Sequence, residues 1–288
     1  MKNILLLIRP HQYVKNLFIF MPLFFMGQIS DASLLINAFL AFLAFSLSAS
    51  AIYILNDYQD IEEDRLHPKK KFRPLASGTV TKRKAIITMV FLLVFGTSMM
   101  AYLSLSGLLI LCAYLLLNVA YSFRLKHISI LDVTIIAIGF VLRIFVGASV
   151  TQIPVSMWIV IMTFLLALFL ALAKRRDDVL IFQNTGQQMR KVIGGYNLQM
   201  IDGAMMIMGS VVIVAYLLYT TSQEVIERME SDHLYLTALF VILGIMRYLQ
   251  IAFIESDSGS PTKIVFKDRF MQITIIAWLF SFAWIIYL

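Results

Sequence analysis

Four polar side chains between residues 56 and 64 have the types and spacing to bind a metal ion. Asn56, Asp57, Asp60 and Asp64 follow one another at intervals of one, three and four residues. If the apolar helix before them continues, its rotation of about 100° per residue places all four on one face. Carboxylates this close repel one another, so we expect a cation among them. Hard oxygen ligands predict Mg²⁺, whereas the missing central glycine argues against a calcium loop of the EF-hand type.

Three basic residues follow this acidic stretch directly. Arg65, Lys70 and Arg73 lie close to Pro68 and Pro74, and prolines disfavour a continuing helix, so the sequence predicts a shaped loop beside the metal. Carboxylates followed by cations suit a magnesium-bound diphosphate, with the metal on one side and Arg or Lys on the remaining oxygens. The alternative is a solvated loop whose lysines only reflect membrane topology, which leaves the acids unexplained.

The elements that position these residues belong to a membrane protein. Of 288 residues, 60% are hydrophobic and 14% are charged, and the mean hydropathy is +0.84, far from the values of soluble domains. The single cysteine, Cys112, excludes an intrachain disulfide framework. We attribute the net charge of +7 to cytoplasmic loops and expect membrane lipids, not nucleic acid, as the surroundings.

Apolar runs of about 20 residues predict an all-α integral membrane protein with nine transmembrane helices. The whole chain, 1–288, is predicted to be a single polytopic membrane domain, and no cleavable signal peptide is evident. The predicted spans are approximately 14–29, 34–55, 85–104, 107–122, 128–150, 156–174, 198–220, 234–254 and 269–288.

Positive charge falls almost entirely on one side of this topology. Arg228 is the only Lys or Arg in the loops that nine spans place opposite the N-terminus. The bias predicts a multi-pass protein of the plasma (inner) membrane, with its N-terminus and the 56–84 loop in the cytoplasm.

Several strings resemble those of the UbiA superfamily of intramembrane prenyltransferases. The pattern N-D-x-x-D-x-x-x-D after the second of nine spans is similar to that family's first aspartate-rich motif. The longer string "NDYQDIEEDRLHPKKKFRPLASG" (56–78) resembles more narrowly the decaprenyl-phosphate phosphoribosyltransferase branch. So do "RPHQYVKN" (9–16), "YSFRLK" (121–126) and "LAKRRDD" (172–178). The resemblance covers essentially the whole chain.

This resemblance implies a UbiA-like helical bundle with a cytoplasm-facing active-site cavity. It also implies a reaction in which a polyprenyl phosphate attacks phosphoribosyl diphosphate (PRPP) at the anomeric carbon and releases diphosphate with Mg²⁺. The acidic stretch would then hold the metal and the diphosphate or ribose, with Asp57, Asp60 and Asp64 as catalytic residues. The implied substrate-binding residues are Lys15, Asn16, Asn56, Arg65, Lys70, Arg73, Tyr121, Lys126, Lys174, Arg175 and Asp178.

The second polar cluster departs from the wider superfamily, which usually carries another D-x-x-x-D run. Here Asp177 and Asp178 are adjacent and so point about 100° apart on a helix. Asp178 is therefore predicted either to bind ribose hydroxyls or to share the one metal.

Arg143 lies inside the fifth predicted span, where a charge is costly and by default functional. We predict that it binds substrate; the alternative is a structural pair with an acid on a neighbouring helix. Asp132 stands on the same stripe, about three turns earlier.

Two other functions fit parts of the sequence. A UbiA-type prenyltransferase would move a prenyl group from a prenyl diphosphate to an aromatic acceptor, as in quinone or haem pathways, and would need the second aspartate-rich motif. A transporter would show internal repeats and broken helices in matching halves, and no clear repeat is visible.

Overall fold

Helices make up all the regular structure of the part of the chain that is described. A computed structural model of the protein covers residues 2–66, 70–186, 191–256 and 258–287. The α-helices are α1 (Lys2–Ile8), α2 (Met21–Phe25), α3 (Ala32–Gln59), α4 (Ile61–Leu66), α5 (Lys82–Leu103), α6 (Leu105–Phe123), α7 (Leu131–Thr151), α8 (Met157–Thr185), α9 (Leu198–Thr221), α10 (Gln223–Met229), α11 (Ala238–Gln250), α12 (Pro261–Lys267) and α13 (Arg269–Tyr287). The prediction of an all-α membrane protein is confirmed.

Eight helical segments of the described residues are long and apolar enough to cross a membrane. Seven of them are α3, α5, α6, α7, α8, α9 and α13. The eighth runs from His233 to Glu255 and consists of α11 between a 3₁₀ turn and a π turn. These eight correspond to the second to ninth predicted spans.

The first predicted span, 14–29, has a different structure, so the count of nine is not confirmed. It is a 3₁₀-helix from Pro10 to Phe20 followed by the short α2. Pro22 has no backbone N–H to donate at the start of α2. Gly27, with φ of 68°, follows the end of α2.

The break between the third and fourth predicted spans, 85–104 and 107–122, lies at Ser104. Ser104 has an extended backbone (φ −163°, ψ 125°), and α6 resumes at the next residue. Its hydroxyl accepts a hydrogen bond from the Gly107 N–H at 3.0 Å, which satisfies one of the free donors of the new helix.

The chain divides into two compact units. The first comprises residues up to Phe123 together with Gly139–Val155, and the second comprises Arg124–Ile138 together with the chain from Ser156 onward. Phe45, Met100 and Tyr114 belong to the core of the first unit, and Phe169 and Tyr248 to that of the second. Whether the chain acts as one domain stays a prediction.

Two helices are longer than a bilayer requires. α3 has 28 residues and α8 has 29, which at 1.5 Å per residue is about 42 Å, against a hydrocarbon core of about 30 Å. Asp31 begins α3 by accepting the N–H groups of Ser33 and Leu34 at 2.9 and 3.0 Å. Each long helix carries polar side chains in its last turns, and these turns provide the candidate site residues.

Candidate active site

Two buried carboxylates in the first unit share one guanidinium. Arg73 Nη1 lies 3.1 Å from Asp57 Oδ1 and 2.7 Å from Asp64 Oδ2. Both aspartates are 2% exposed, whereas Arg73 remains 28% exposed. Lys70 Nζ lies 3.9 Å from Asp64 Oδ1. The structure therefore brings together two acidic and two basic residues of the predicted site: Asp57, Asp64, Lys70 and Arg73.

The local backbone explains this meeting. α3 continues past Asn56 as predicted and ends at Gln59, with Asp60 as its C-cap. The Asp64 N–H donates to the Asp60 carbonyl at 2.7 Å, so the first turn of α4 begins at the residue that ends α3. A 3₁₀ turn at Lys70–Phe72 then leads to Arg73, whose N–H donates to the Lys70 carbonyl at 2.9 Å. Pro68, which we expected to shape this loop, lies outside the described residues.

Arg9 is a site residue that the prediction missed. It forms an ion pair with Asp57 and places its guanidinium 5.6 Å from the ring centre of Tyr53. Its backbone is left-handed (φ 54°), between the end of α1 and the 3₁₀-helix that begins at Pro10. Arg9 is the first residue of the string "RPHQYVKN", which carries part of the family resemblance, and that position was the one sequence feature that pointed to it.

One oxygen of the acidic pair has no hydrogen-bond partner in the part of the chain that the structure describes. Asp57 Oδ2 is buried and accepts no hydrogen bond from any described residue. Buried polar atoms are almost always satisfied, so this oxygen is available to a water, a metal ion or a substrate group. In the described part of the chain, three acidic, His or Cys side chains do not converge on any point. A metal here would therefore need oxygens from water or substrate as well.

The other two members of the predicted metal set are placed differently. The side-chain oxygen of Asn56 accepts a hydrogen bond from Ser122 near the end of α6. Asp60 is half-buried at the end of α3. The prediction that all four residues bind the metal remains a prediction; Asp57 and Asp64 share Arg73 as a partner.

Arg65 and Tyr121 are not part of the pair's contacts. Arg65 pairs with Glu62 at 2.9 Å on the outer side of α4 and donates to the Ala76 carbonyl at 3.2 Å. Tyr121 is half-buried in the last turn of α6.

Asn16 and Arg143 form a second polar group in the first unit. Arg143 Nε donates to Asn16 Oδ1 at 2.8 Å, Nη1 to the Gly139 carbonyl at 2.6 Å, and Nη2 to the Tyr114 hydroxyl at 3.2 Å. Its guanidinium carbon also lies 5.0 to 5.1 Å from three aromatic ring centres. Arg143 has no acidic partner among the described residues, so the alternative of a structural ion pair is not what the structure shows.

In the second unit, Arg175 is buried between two acids. Its Nε lies 2.5 Å from Asp132 Oδ2, and its Nη1 lies 2.5 Å from Asp178 Oδ2. Tyr196 donates its hydroxyl to Asp132 Oδ1 at 2.6 Å and accepts the Ile130 N–H at 2.7 Å. Burial and the bond to Asp132 raise the pKa of Tyr196 above its usual range. Asp132 and Arg143 both lie on α7, as expected, and each has its own partners.

Lys126 and Lys174 are half-buried in this second unit, in a 3₁₀ turn at Leu125–His127 and in α8. The sequence reasoning missed Arg176, which binds Asp202 Oδ1 at 2.7 Å and the Ala252 carbonyl at 2.5 Å. These bonds join α8 to α9 and to the end of the span that contains α11.

Fold and site together define a multi-pass helical membrane protein that holds paired carboxylates and arginines at the end of a long apolar helix. The chain matches the UbiA prenyltransferase family over residues 16–276 and belongs to that family. The resemblance seen in the sequence is therefore confirmed, and with it the assignment as a transferase.

The chain is similar over nearly its full length to two proteins with the same name. The chain is 29% identical to the decaprenyl-phosphate phosphoribosyltransferase of Mycolicibacterium smegmatis, over 97% of this chain and 91% of that protein. The protein of the same name from Corynebacterium glutamicum is 28% identical, over 98% and 86% respectively.

A solved structure shares the fold. A UbiA homologue from Archaeoglobus fulgidus bound to GPP and Mg²⁺ has a TM-score of 0.73 and 20% identity, with 99% of this chain and 100% of that chain covered. The same homologue bound to DMAPP and Mg²⁺ has a TM-score of 0.71 and covers 96% of this chain and 98% of that one. The UbiA-like fold is confirmed.

Proposed function

We propose that the chain transfers 5-phosphoribose from PRPP to a polyprenyl phosphate in the membrane and releases diphosphate. The observation that carries the proposal is the buried Asp57–Arg73–Asp64 group with its unpartnered carboxylate oxygen. The choice of donor and acceptor is supported by the names of the full-length relatives. This reaction and the alternative prenyl transfer to an aromatic acceptor both require a site that binds a diphosphate and stabilises its departure.

Magnesium fits this donor set. The free Asp57 Oδ2 and the neighbouring Asp64 are hard oxygen ligands, and Mg²⁺ is commonly bound by one or two carboxylates, with waters and substrate phosphates completing its shell. Asn56 and Asp60 are the other proposed ligands. When bound, the ion would offset the negative charge of the diphosphate.

The chain's own cations serve the remaining oxygens. Arg73 is 28% exposed and Lys70 is 30% exposed, so both side chains can reach an incoming phosphate. Arg9 adds a third positive charge to this group through its ion pair with Asp57. Fixed cations aimed at a leaving group stabilise the charge that develops there.

The bond changes are simple. An oxygen of the lipid phosphate forms a bond to the anomeric carbon as the bond from that carbon to the diphosphate oxygen breaks, and the diphosphate keeps the electron pair. The acceptor is already an anion, so the site needs no general base. Alignment of acceptor and donor then contributes most of the remaining rate enhancement.

We further propose that this site faces the cytoplasm and that the chain resides in the plasma membrane. The support is the distribution of Lys and Arg, which leaves Arg228 alone in the opposite loops.

A transfer assay tests the proposal. Purified protein in detergent is incubated with Mg²⁺, labelled PRPP and a polyprenyl phosphate, and label in the organic phase is measured. We expect lipid-bound label with the unaltered protein and a loss of about 100-fold or more in Asp57→Asn, because charge stabilisation at a leaving group contributes on this scale.

Glu63→Gln is the matched control, since it removes one exposed acid from α4 without touching the pair. It should retain activity within about twofold, as surface substitutions usually do. No label with PRPP, together with turnover of a prenyl diphosphate and an aromatic acceptor, would reject the proposal in favour of an aromatic prenyltransferase.

A further inference from the structure

Arg143 is a buried cation that no described acid neutralises. It lies in the middle of α7, is 4% exposed, and donates only to neutral oxygens of Asn16, Gly139 and Tyr114. A charge within a membrane-spanning helix is costly and normally pairs with an opposite charge. The three rings around the guanidinium offset part of that cost but leave its charge in place.

Lys15 is a second cation in the same surroundings. It is partly buried in the 3₁₀-helix Pro10–Phe20 and has neither a hydrogen bond nor an ion pair with any residue that the structure describes. Asn16, the next residue in the chain, accepts a hydrogen bond from Arg143, so Lys15 and Arg143 belong to the same contact between the 3₁₀-helix and α7. Like charges repel more strongly near a low-dielectric interior, so this pair lacks an anion.

The cations at the acidic pair, unlike Lys15 and Arg143, each have an acidic partner. Arg9 and Arg73 each contact Asp57, and Lys70 contacts Asp64. Only Lys15 and Arg143, of these five described cations, contact no acid.

The surrounding structure holds Arg143 in a fixed orientation. The amide of Asn16 donates to Ser46 on α3 at 2.8 Å and accepts from Arg143 through its oxygen. The backbone of Ile19 packs directly on Gly147, one turn beyond Arg143, so closely that a Cβ at Gly147 would overlap the Ile19 carbonyl. Asn16 and Ser46 are therefore positioning residues for Arg143.

We propose that Lys15 and Arg143 form a binding site for one phosphate group, apart from the carboxylate pair at Asp57 and Asp64. A guanidinium fork and a lysine are the usual ligands of a phosphate. The place of Arg143 within a spanning helix and among aromatic rings favours the phosphate of the lipid acceptor over that of a soluble donor. The identity of that lipid rests on the proposed function.

Binding measurements on Lys15→Gln test this site. Purified protein in detergent is titrated with farnesyl phosphate, a short polyprenyl phosphate, and separately with PRPP and Mg²⁺. Losing one ionic phosphate contact should weaken farnesyl phosphate binding by about tenfold or more. PRPP binding should stay within about twofold. Because Lys15 makes no bond within the described protein, the ligand-free Tm should hold or rise as repulsion with Arg143 is relieved.

Lys84→Gln is the matched control, because it removes one exposed lysine at the start of α5 and changes the net charge equally. Farnesol, which lacks the phosphate, should bind both proteins alike. Arg143→Gln should show the same selective loss, and Lys15→Gln keeps the test valid if that variant fails to fold.

Unchanged affinity of Lys15→Gln for both farnesyl phosphate and PRPP would overturn the proposal, as would a lower ligand-free Tm with equal loss of farnesol binding. Selective loss for PRPP would keep the phosphate site but overturn its assignment to the lipid. The readout is binding, so it is independent of whether ribose is transferred in the assay above.

Discussion

At the residue scale, Arg73 is the group on which the acidic pair depends. One nitrogen, Nη1, contacts both Asp57 and Asp64, and two carboxylates so close together would otherwise repel each other. Both acids are almost fully buried, so the pair relies on the cations beside it. Arg9 also contacts Asp57, and Lys70 also contacts Asp64.

Arg73→Lys should lower transferase activity by about tenfold to 100-fold. Lysine keeps the charge but lacks the planar fork that lets arginine serve several oxygens at once. The activity is measured in the organic-phase assay, and the Tm should fall only slightly because Arg9 and Lys70 remain. Arg83→Lys, at an exposed position in the first turn of α5, is the control. Equal activity of both variants would contradict this role of Arg73.

Some of the contacts between site residues could be predicted from the sequence, and others could not. Spacing correctly indicated that Asp57 and Asp64 lie near each other, since helical geometry continues almost to Leu66. Spacing could not show whether Arg65 would pair with Glu62, three residues earlier on the same short helix, or face the substrate as predicted. Nor could it place Arg9 on Asp57, a contact between residues 48 positions apart.

At the scale of elements, the 3₁₀-helix Pro10–Phe20 depends on close approach to α7. Gly147 gives the Ile19 backbone its space, and Asn16 on the same segment binds Arg143. Eleven residues of 3₁₀-helix are unusual. Hydropathy predicts apolar length but not the helix type, which explains why this segment was expected to be an ordinary span.

Gly147→Ala should therefore lower the thermal stability of the protein in detergent. Forcing a methyl group into a filled space typically costs about 1–3 kcal/mol, and the displaced segment should also lose the Asn16–Arg143 bond. Gly203→Ala is the control, because nothing lies within 4 Å of its added Cβ. In a helix interior that change should be neutral or stabilising. Equal Tm values for the two variants would contradict the packing argument.

At the scale of the whole molecule, the sequence predicted the membrane class and eight of the helical spans because apolar length alone determines them. It did not show the division into two units, since that depends on which helices pack together. Arg175 illustrates the limit: its neutralisation by Asp132, 43 residues earlier, follows from tertiary packing and has no local signal.

Thiol labelling should test the proposed orientation of the whole chain. In a Cys112→Ser background, Lys71→Cys places a thiol in the exposed turn after α4, and Glu227→Cys places one on α10. A membrane-impermeant maleimide should label Glu227→Cys in intact cells and Lys71→Cys only after the membrane is opened. The reverse pattern would invert the topology.

The shared guanidinium of Arg73 has one more consequence, for the order of events at the site. A metal ion arriving alone would compete with Arg73 for the two carboxylates, and a phosphate arriving alone would draw Arg73 away and leave those carboxylates without it. When both arrive together, metal and carboxylates pair while arginine and phosphate pair, so each charged group has a partner of opposite sign. Each ligand therefore prepares the site for the other, and by thermodynamic reciprocity the coupling is equal in both directions.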